Sequence, residues 1–468
     1  MQFAIHAEAP SDSSGLAQPS NHRLAFSRAL RYSRAQSSTI EVFYLMHGSL
    51  RLMKYRRFLP LFVTQFMGAF NDNLFKNATI LLAVFEILHD PHQEEKFTAI
   101  ASAVYILPFF LFSALGGQLA DSMDKAKIIR IVKLAEIGIM AVGAVGLVLG
   151  NIYVLVFVLF LMGTHSSFFG PTKYAILPQH LERDEVLGGT SMVEAGTYVA
   201  ILLGTMVAGV VKPWHAAVLV MLTAIVGVVS AWNVPPARPE KGAPQPAMDY
   251  HLLRSSWTLI SRTMHVPRLY WTIVAISFFV AEVSIMGVVF APMVKNILGA
   301  DNFVATLMLV VFTVGVAVGA VLINAILKGK VSAKYAPLSA IAMALFLMVM
   351  YWTLAYWPAP TAARLIGWRA FVAQPSSYVL FAELFLVAIA GGMFVVPLYA
   401  FLTTTVDKSE AARTVAANNI VTSGAGVLAV LSFVSIQRFL TIPQAFLVIS
   451  ATCLASTWFV QKLHEACD

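Results

Sequence analysis

Beyond its first fifty-odd residues the chain repeats one pattern, a long apolar run followed by a short polar break. About twenty apolar residues in a helix cross the hydrocarbon core of a bilayer, where only a helix or a closed barrel satisfies its own backbone. The runs at 58–88, 97–120, 127–149, 151–172, 188–211, 214–234, 270–297, 303–327, 334–357, 375–404, 411–437 and 441–462 therefore predict twelve spanning helices. The longest polar break contains Pro235, Pro236, Pro239, Pro244 and Pro246 and separates the sixth run from the seventh. It reads as a linker, 235–268, between six-helix halves at 53–234 and 269–468. The fold class is an all-α membrane protein.

The first run departs from the pattern, because Asn71, Asp72, Asn73, Lys76 and Asn77 stand at its centre. A charge at mid-depth costs about 2.5–3.5 kcal/mol on insertion scales, so residues kept there have work to do. Asp72 and Lys76 lie one turn apart and can pair, on a face continued by Gln65, Gly68 and Thr79. Two readings stand: a structural pair that locks helix to helix, or the polar wall of a substrate cavity with Asn71, Asp72, Asn73 and Lys76 as contacts.

Composition narrows the class. With 58% hydrophobic and 12% charged residues and a mean hydropathy of +0.75, the chain has about half the charge of a soluble domain. A soluble enzyme is excluded. The net charge of +8 is spread over short loops and builds no nucleic-acid surface. It reports orientation instead: Arg51, Lys54, Arg56, Arg57, Lys125, Lys127, Arg130, Lys133 and the linker arginines fall on one side, against Lys96, Lys212, Lys295, Arg364, Arg369 and Arg438 on the other. By the positive-inside rule both termini and the linker are cytoplasmic. Cys453 and Cys467 have no metal-ligand spacing and read as inert, and no cofactor is expected. Residues 1–52, rich in Ser and Arg, are expected to be disordered. They read as a transit peptide or as an untranslated stretch ahead of a start at Met46 or Met53.

After the second run comes Gly117-Gln118-Leu119-Ala120-Asp121-Ser122-Met123-Asp124-Lys125-Ala126-Lys127-Ile128. Gly117 would let two helices approach, Asp121 would face the N-terminal end of a neighbouring helix, and Lys125 and Lys127 would anchor a tight turn. This resembles the signature loop between helices 2 and 3 of the major facilitator superfamily, where such residues gate the conformational change. After the eighth run, Leu327-Lys328-Gly329-Lys330-Val331 keeps the basic turn and lacks the Asp, as a diverged repeat would.

Four further blocks carry a narrower resemblance: Phe70-Asn71-Asp72-Asn73-Leu74-Phe75-Lys76, Phe169-Gly170-Pro171-Thr172-Lys173-Tyr174-Ala175-Ile176-Leu177, Val193-Glu194-Ala195-Gly196 leading to Ala200-Ile201-Leu202-Leu203-Gly204, and Gly391-Gly392-Met393-Phe394-Val395-Val396-Pro397-Leu398. In this order they resemble the bacterial lysophospholipid transporter family. The resemblance implies inward movement of lysophosphatidylethanolamine and lysophosphatidylglycerol across the inner membrane for reacylation. It implies membrane lipids as surroundings and an acyltransferase or acyl-activating enzyme as a partner, since some relatives are fused to both. It also makes Asp72 a cavity carboxylate, Lys173 a cation in helix 4 and Glu194 a carboxylate in helix 5. Some relatives pair the helix-1 aspartate with a helix-7 arginine. Here 271–293 contains no Lys or Arg, only Glu282, so Lys76 or Lys173 would have to supply the positive half.

Glu282 itself is either a functional carboxylate, counted here among the substrate contacts, or a protonated structural one. Glu383 lies nearer a span boundary, and Asn418 and Asn419 sit roughly where Glu194 does if the halves are superposed. His165 reads as a packing residue, and Gly204, Gly209, Gly315 and Gly319 as close-packing sites. An acyltransferase would need His and Asp separated by four residues; His180 and Asp184 have only three between them. No phosphate-cradling loop appears. The rivals are a proton-coupled antiporter of the same fold, with Asp72, Glu194 or Glu282 as the protonation site, and a scramblase or structural partner of a lipid enzyme.

Overall fold

The computed structural model describes residues 51–182, 185–238, 249–327, 332–358, 365–404 and 408–467. Twelve long helices follow in order: α1 Leu59–Leu82, α2 Pro91–Ser122, α3 Lys125–Leu149, α4 Ile152–His180, α5 Val186–Val210, α6 Pro213–Trp232, α7 Pro267–Asn296, α8 Asn302–Leu327, α9 Ala336–Ala355, α10 Pro375–Thr404, α11 Lys408–Ile436 and α12 Ile442–Cys467. Ten of them contain a stretch long and apolar enough to cross a membrane. In α1 the central polar cluster lowers the mean, and α5 is apolar over Ala195–Val210. A linker helix, Leu252–Met264, precedes α7.

Helix ends follow local chemistry. α2 begins six residues ahead of its apolar run because Asp90 caps it, accepting from the His92 N–H at 3.0 Å, with Pro91 preset at the first helical position. Its first turn holds Glu94, which is buried against protein together with the next residue, Glu95. α3 is capped by Asp124 and ends at Gly150, whose φ of 62° is the left-handed conformation that suits glycine.

Each half packs the same way: α1 on α5, α2 on α4 and α3 on α6, then α7 on α11, α8 on α10 and α9 on α12. Glycines set the closest seams. An added Cβ at Gly116 would stand 2.7 Å from the Ser167 carbonyl, and one at Gly163 would overlap the Tyr105 carbonyl, so backbones touch along α2–α4. Gly319 against Ile389 and Gly392 against Val316 do the same along α8–α10. The expectation for Gly117 is corrected: nothing lies within 4 Å of a Cβ there, and the neighbouring Gly116 makes the contact, because α2 turns that face to α4.

The twelve passes place both ends of the described chain and the linker at one end of the bundle, called proximal here; the other is distal. At the proximal turn the Asp124 carboxylate accepts from the N–H groups of Ala126 and Ala237, both at 3.0 Å, and Lys125 N–H donates to the Ala237 carbonyl. Arg130 reaches the Val234 carbonyl at 2.8 Å. The basic turn is thus clamped to the end of α6 and the start of the linker, with Lys125 buried and Lys127 exposed. The side chain of Asp121 lies outside the described part. So do most of residues 1–52, but Leu52 is buried, with Phe58 and Leu181, in the proximal core, and belongs to the folded unit and not to a disordered extension. The halves meet chiefly through α2–α11, α5–α8 and α2–α7.

Candidate functional site

The polar residues of α1 do not share one face; they are divided among four neighbouring helices. Asn71, fully buried, donates from Nδ2 to Glu136 Oε1 of α3 at 2.8 Å. Glu136 Oε2 accepts from the Lys133 ammonium at 2.6 Å, and His165 Nε2 of α4 stands 3.3 Å from the same oxygen. Lys133 and Glu136 are 0% and 2% exposed, so two opposite charges sit wholly inside the bundle and neutralise each other. Gly68 makes the room: a Cβ there would lie 2.5 Å from Lys133 Nζ. The Phe169 ring, 5.1 Å from the ammonium, covers another side.

Beside this pair lies a second set that is only half-buried: Asp72, Asn73, Lys76 and Asn77. Ser166 of α4 donates to Asp72 Oδ2 at 2.7 Å. Lys76 lies over the Tyr105 ring of α2, 5.4 Å from its centroid. Asn77 bonds Thr205 of α5 at 3.1 Å, and Asn73 bonds the Ala69 carbonyl at 2.9 Å. Gln65, by contrast, is buried helix glue, donating to the Val193 carbonyl and accepting from Thr197 on α5. The expected Asp72–Lys76 ion pair is not formed within 4 Å: Asp72 turns to Ser166, and Lys76 to Tyr105. The ion pair of this region is Lys133–Glu136, and Lys133 belongs to a span and not to a loop.

Lys173 is half-buried and follows Ser166 by seven residues, two turns along the same stripe of α4. The side chain of Glu194 lies outside the described part. Glu282 is not brought to this cluster: it is buried on α7, on the side of Cys453 of α12, and its Oε1 has no hydrogen-bond partner among the described residues. Glu383 bonds Thr353 of α9 at 2.6 Å.

A second polar centre at the distal end was not foreseen. Lys295 Nζ of α7 donates to the carbonyls of Val84 (2.5 Å) and Leu88 (2.8 Å) and to Glu94 Oε1 (2.6 Å), while Asn296 donates to Glu94 Oε2 at 2.7 Å. A π-helical turn, Ala83–Ile87, ends α1 here, and an ammonium suits the carbonyls exposed at a helix C-terminus. Asn302 of α8 adds a bond to the Gly209 carbonyl of α5 at 3.1 Å. Together these contacts clasp the two halves at the distal end.

A twelve-helix bundle in two alike halves, with a polar cluster at mid-depth and a clasp across the halves, is the architecture of a carrier. Residues 61–461 match the family model of the Major Facilitator Superfamily, and the chain belongs to that superfamily. It is a multi-pass membrane transporter, not an enzyme. It is 26% identical over 422 residues to the lysophospholipid transporter LplT of Cronobacter sakazakii, spanning 87% of this chain and 96% of that protein. The corresponding Escherichia coli protein is 25% identical over 417 residues, spanning 86% and 95%. Among solved structures, an auto-inhibited POT family peptide transporter superposes with a TM-score of 0.66 at 12% identity, covering 88% of this chain and 97% of that one. The human organic anion transporter MFSD10 gives 0.63 at 11%, covering 87% and 99%. These two share the fold.

Proposed function

We propose that the chain moves lysophospholipids, lysophosphatidylethanolamine and lysophosphatidylglycerol among them, across a bacterial inner membrane by alternating access, with its proximal end in the cytoplasm. The observation that carries this reading is the half-buried Asp72 one turn from the half-buried Lys76, beside a charge pair that is fully buried and internally neutral. Lys133–Glu136 is spent on structure, which leaves Asp72 and Lys76 to meet a ligand. A zwitterionic headgroup offers an ammonium to Asp72 and a phosphate to Lys76, with Lys173 further along α4 as a second cation. Asn73 and Asn77 supply polar lining. The single tail stays among apolar helix faces. Similarity to lysophospholipid transporters over most of the chain supports the substrate class. Its product would feed an acyltransferase or acyl-activating enzyme. The distal clasp is the outer gate in this reading, and the Asp124–Ala237 clamp with Lys125, Lys127 and Asp121 belongs to the inner one.

Competition against labelled lysophosphatidylethanolamine in proteoliposomes tests the substrate class. Unlabelled lysophospholipid should compete. Glycerophosphoethanolamine, which has the headgroup and no tail, should not, and a diacyl lipid should compete poorly because its second chain needs a second apolar slot. Equal competition by glycerophosphoethanolamine would point to a carrier of soluble substrates.

A further inference from the structure

The linker helix, Leu252–Met264, packs on α2 of one half and α11 of the other, but the residues it buries are polar: Ser255, Ser256 and Thr263. Its apolar residues lie elsewhere. Leu253, Trp257, Ile260 and Met264 follow each other at steps of four, three and four, which makes one stripe along a helix. Met264 packs on the core of the second half and Ile260 is half-buried, but Leu253 is 68% and Trp257 71% exposed. Beyond the stripe, Arg254, Thr258, Arg262 and His265 form a third face, also exposed. Between 249 and 270 the chain has three arginines and a single acidic residue, Asp249. Asp249 holds Arg254 at 2.8 Å, so Arg262 is the uncompensated charge of the helix among the described residues.

Contacts at both ends set the depth of this helix. The Asp249 N–H donates to Gln118 Oε1 at 2.8 Å, and Gln118 stands four residues before the end of α2, so the helix starts level with the last turn of a spanning helix. Past its other end, Tyr270 and Trp271 lie in the first turns of α7, and the Trp271 ring meets Trp458 of α12 edge-on with centroids 6.2 Å apart. Tyr270 and Trp458 are exposed. Exposed Trp and Tyr near the ends of spanning helices mark the headgroup level of a bilayer. The linker helix therefore lies in the membrane surface at the proximal end, not in the water beyond it. A helix that lies there puts Leu and Trp into the boundary of headgroups and acyl chains and turns its basic residues to the headgroups.

We propose that the linker helix is a docking site for anionic phospholipid: Leu253 and Trp257 enter the acyl boundary, and Arg262 binds the headgroup phosphate. The two halves of the contact need each other. Leu253 and Trp257 give the helix apolar area that water does not reward, and the guanidinium beside them selects lipids with net negative charge, which a zwitterionic headgroup lacks. A soluble protein covering the same stripe would have to reach it through the headgroup layer. The site is separate from the cavity at Asp72 and Lys76, and it stands whatever substrate that cavity takes.

Quenching of Trp257 fluorescence by brominated lipids reads the contact in the full chain. The protein is placed in nanodiscs of phosphatidylcholine that contain either brominated phosphatidylglycerol or brominated phosphatidylcholine, and Trp257→Phe, a change at an exposed position, isolates the Trp257 signal among the eight tryptophans. Both lipids should quench Trp257, with a binding constant for phosphatidylglycerol at least about fivefold that for phosphatidylcholine, the share of one basic residue at an anionic surface. Arg262→Gln, also at an exposed position, should remove most of that preference while quenching by phosphatidylcholine persists. No quenching of Trp257 by either lipid would overturn the proposal and leave the stripe to a soluble protein partner. Equal binding constants in the wild type, or a preference unchanged in Arg262→Gln, would overturn it as well.

Discussion

At the scale of single residues, the account turns on which charges belong to structure and which to ligand. Glu136→Gln leaves the Lys133 ammonium wholly buried without its carboxylate, and breaking such a pair costs about 3–5 kcal/mol. Replacing both residues, Lys133→Met with Glu136→Leu, removes the charges together and should recover most of that loss. Thermal unfolding of the purified variants checks this. The single variant should melt well below the wild type and the double variant close to it, while equal losses would mean that the pair does more than neutralise itself. The α1 cluster was legible in the sequence because polar residues stand out in an apolar run. Its partners were not. Lys133 follows Lys125, Lys127 and Arg130 at a spacing that reads as more of a basic loop, although Glu136 three residues on, inside an apolar stretch, marks a helical pair. Nothing local shows that Ser166 and not Lys76 is the neighbour of Asp72, since that depends on how α4 docks.

At the scale of helices, hydrophobic period and length were enough to place all twelve elements, and the Asp90-Pro91 cap explains the start that the apolar run placed latest, six residues in. Rotation of a helix about its axis is a different matter: the seam on α2 falls at Gly116, one residue from the position the motif suggested, because contact with α4 selects the face. The contrast is measurable. Gly319→Leu drives a side chain into the Ile389 backbone, where neither helix can yield cheaply, and should abolish membrane expression or lower the melting temperature by a few degrees, a loss of roughly 2–3 kcal/mol. Gly117→Ala meets nothing within 4 Å and should leave stability unchanged or slightly raised, since alanine is the better helix former by about 1 kcal/mol. Expression and melting curves of the two variants decide it. A destabilised Gly117→Ala would restore the close-approach reading of that glycine.

At the scale of the whole molecule, two halves and a linker could be read from the sequence, but the state of the carrier could not. Lys295 and Glu94 are 201 residues apart, and in the sequence one is an ordinary loop lysine and the other part of a polar helix start. Only the folded bundle brings them together across the halves. Lys295→Met removes three hydrogen bonds from the distal clasp, and a contact worth 1–3 kcal/mol shifts a two-state equilibrium by roughly 5–150-fold. A cysteine replacing Asn73, in a background without Cys453 and Cys467, should then be labelled from the distal side at least about fivefold faster. Unchanged labelling would mean that the clasp does not hold the gate.

The central claim, that Asp72 meets the headgroup of a lysophospholipid, is tested most directly by flux of headgroup-labelled lysophosphatidylethanolamine in proteoliposomes of the wild type and Asp72→Asn. The wild type should move the lipid well above protein-free vesicles, and Asp72→Asn should fall to that background while its melting curve stays near normal. An Asp72→Asn variant that folds and transports like the wild type would contradict the account, as would a wild type that moves no lysophospholipid but exports a soluble cation against protons.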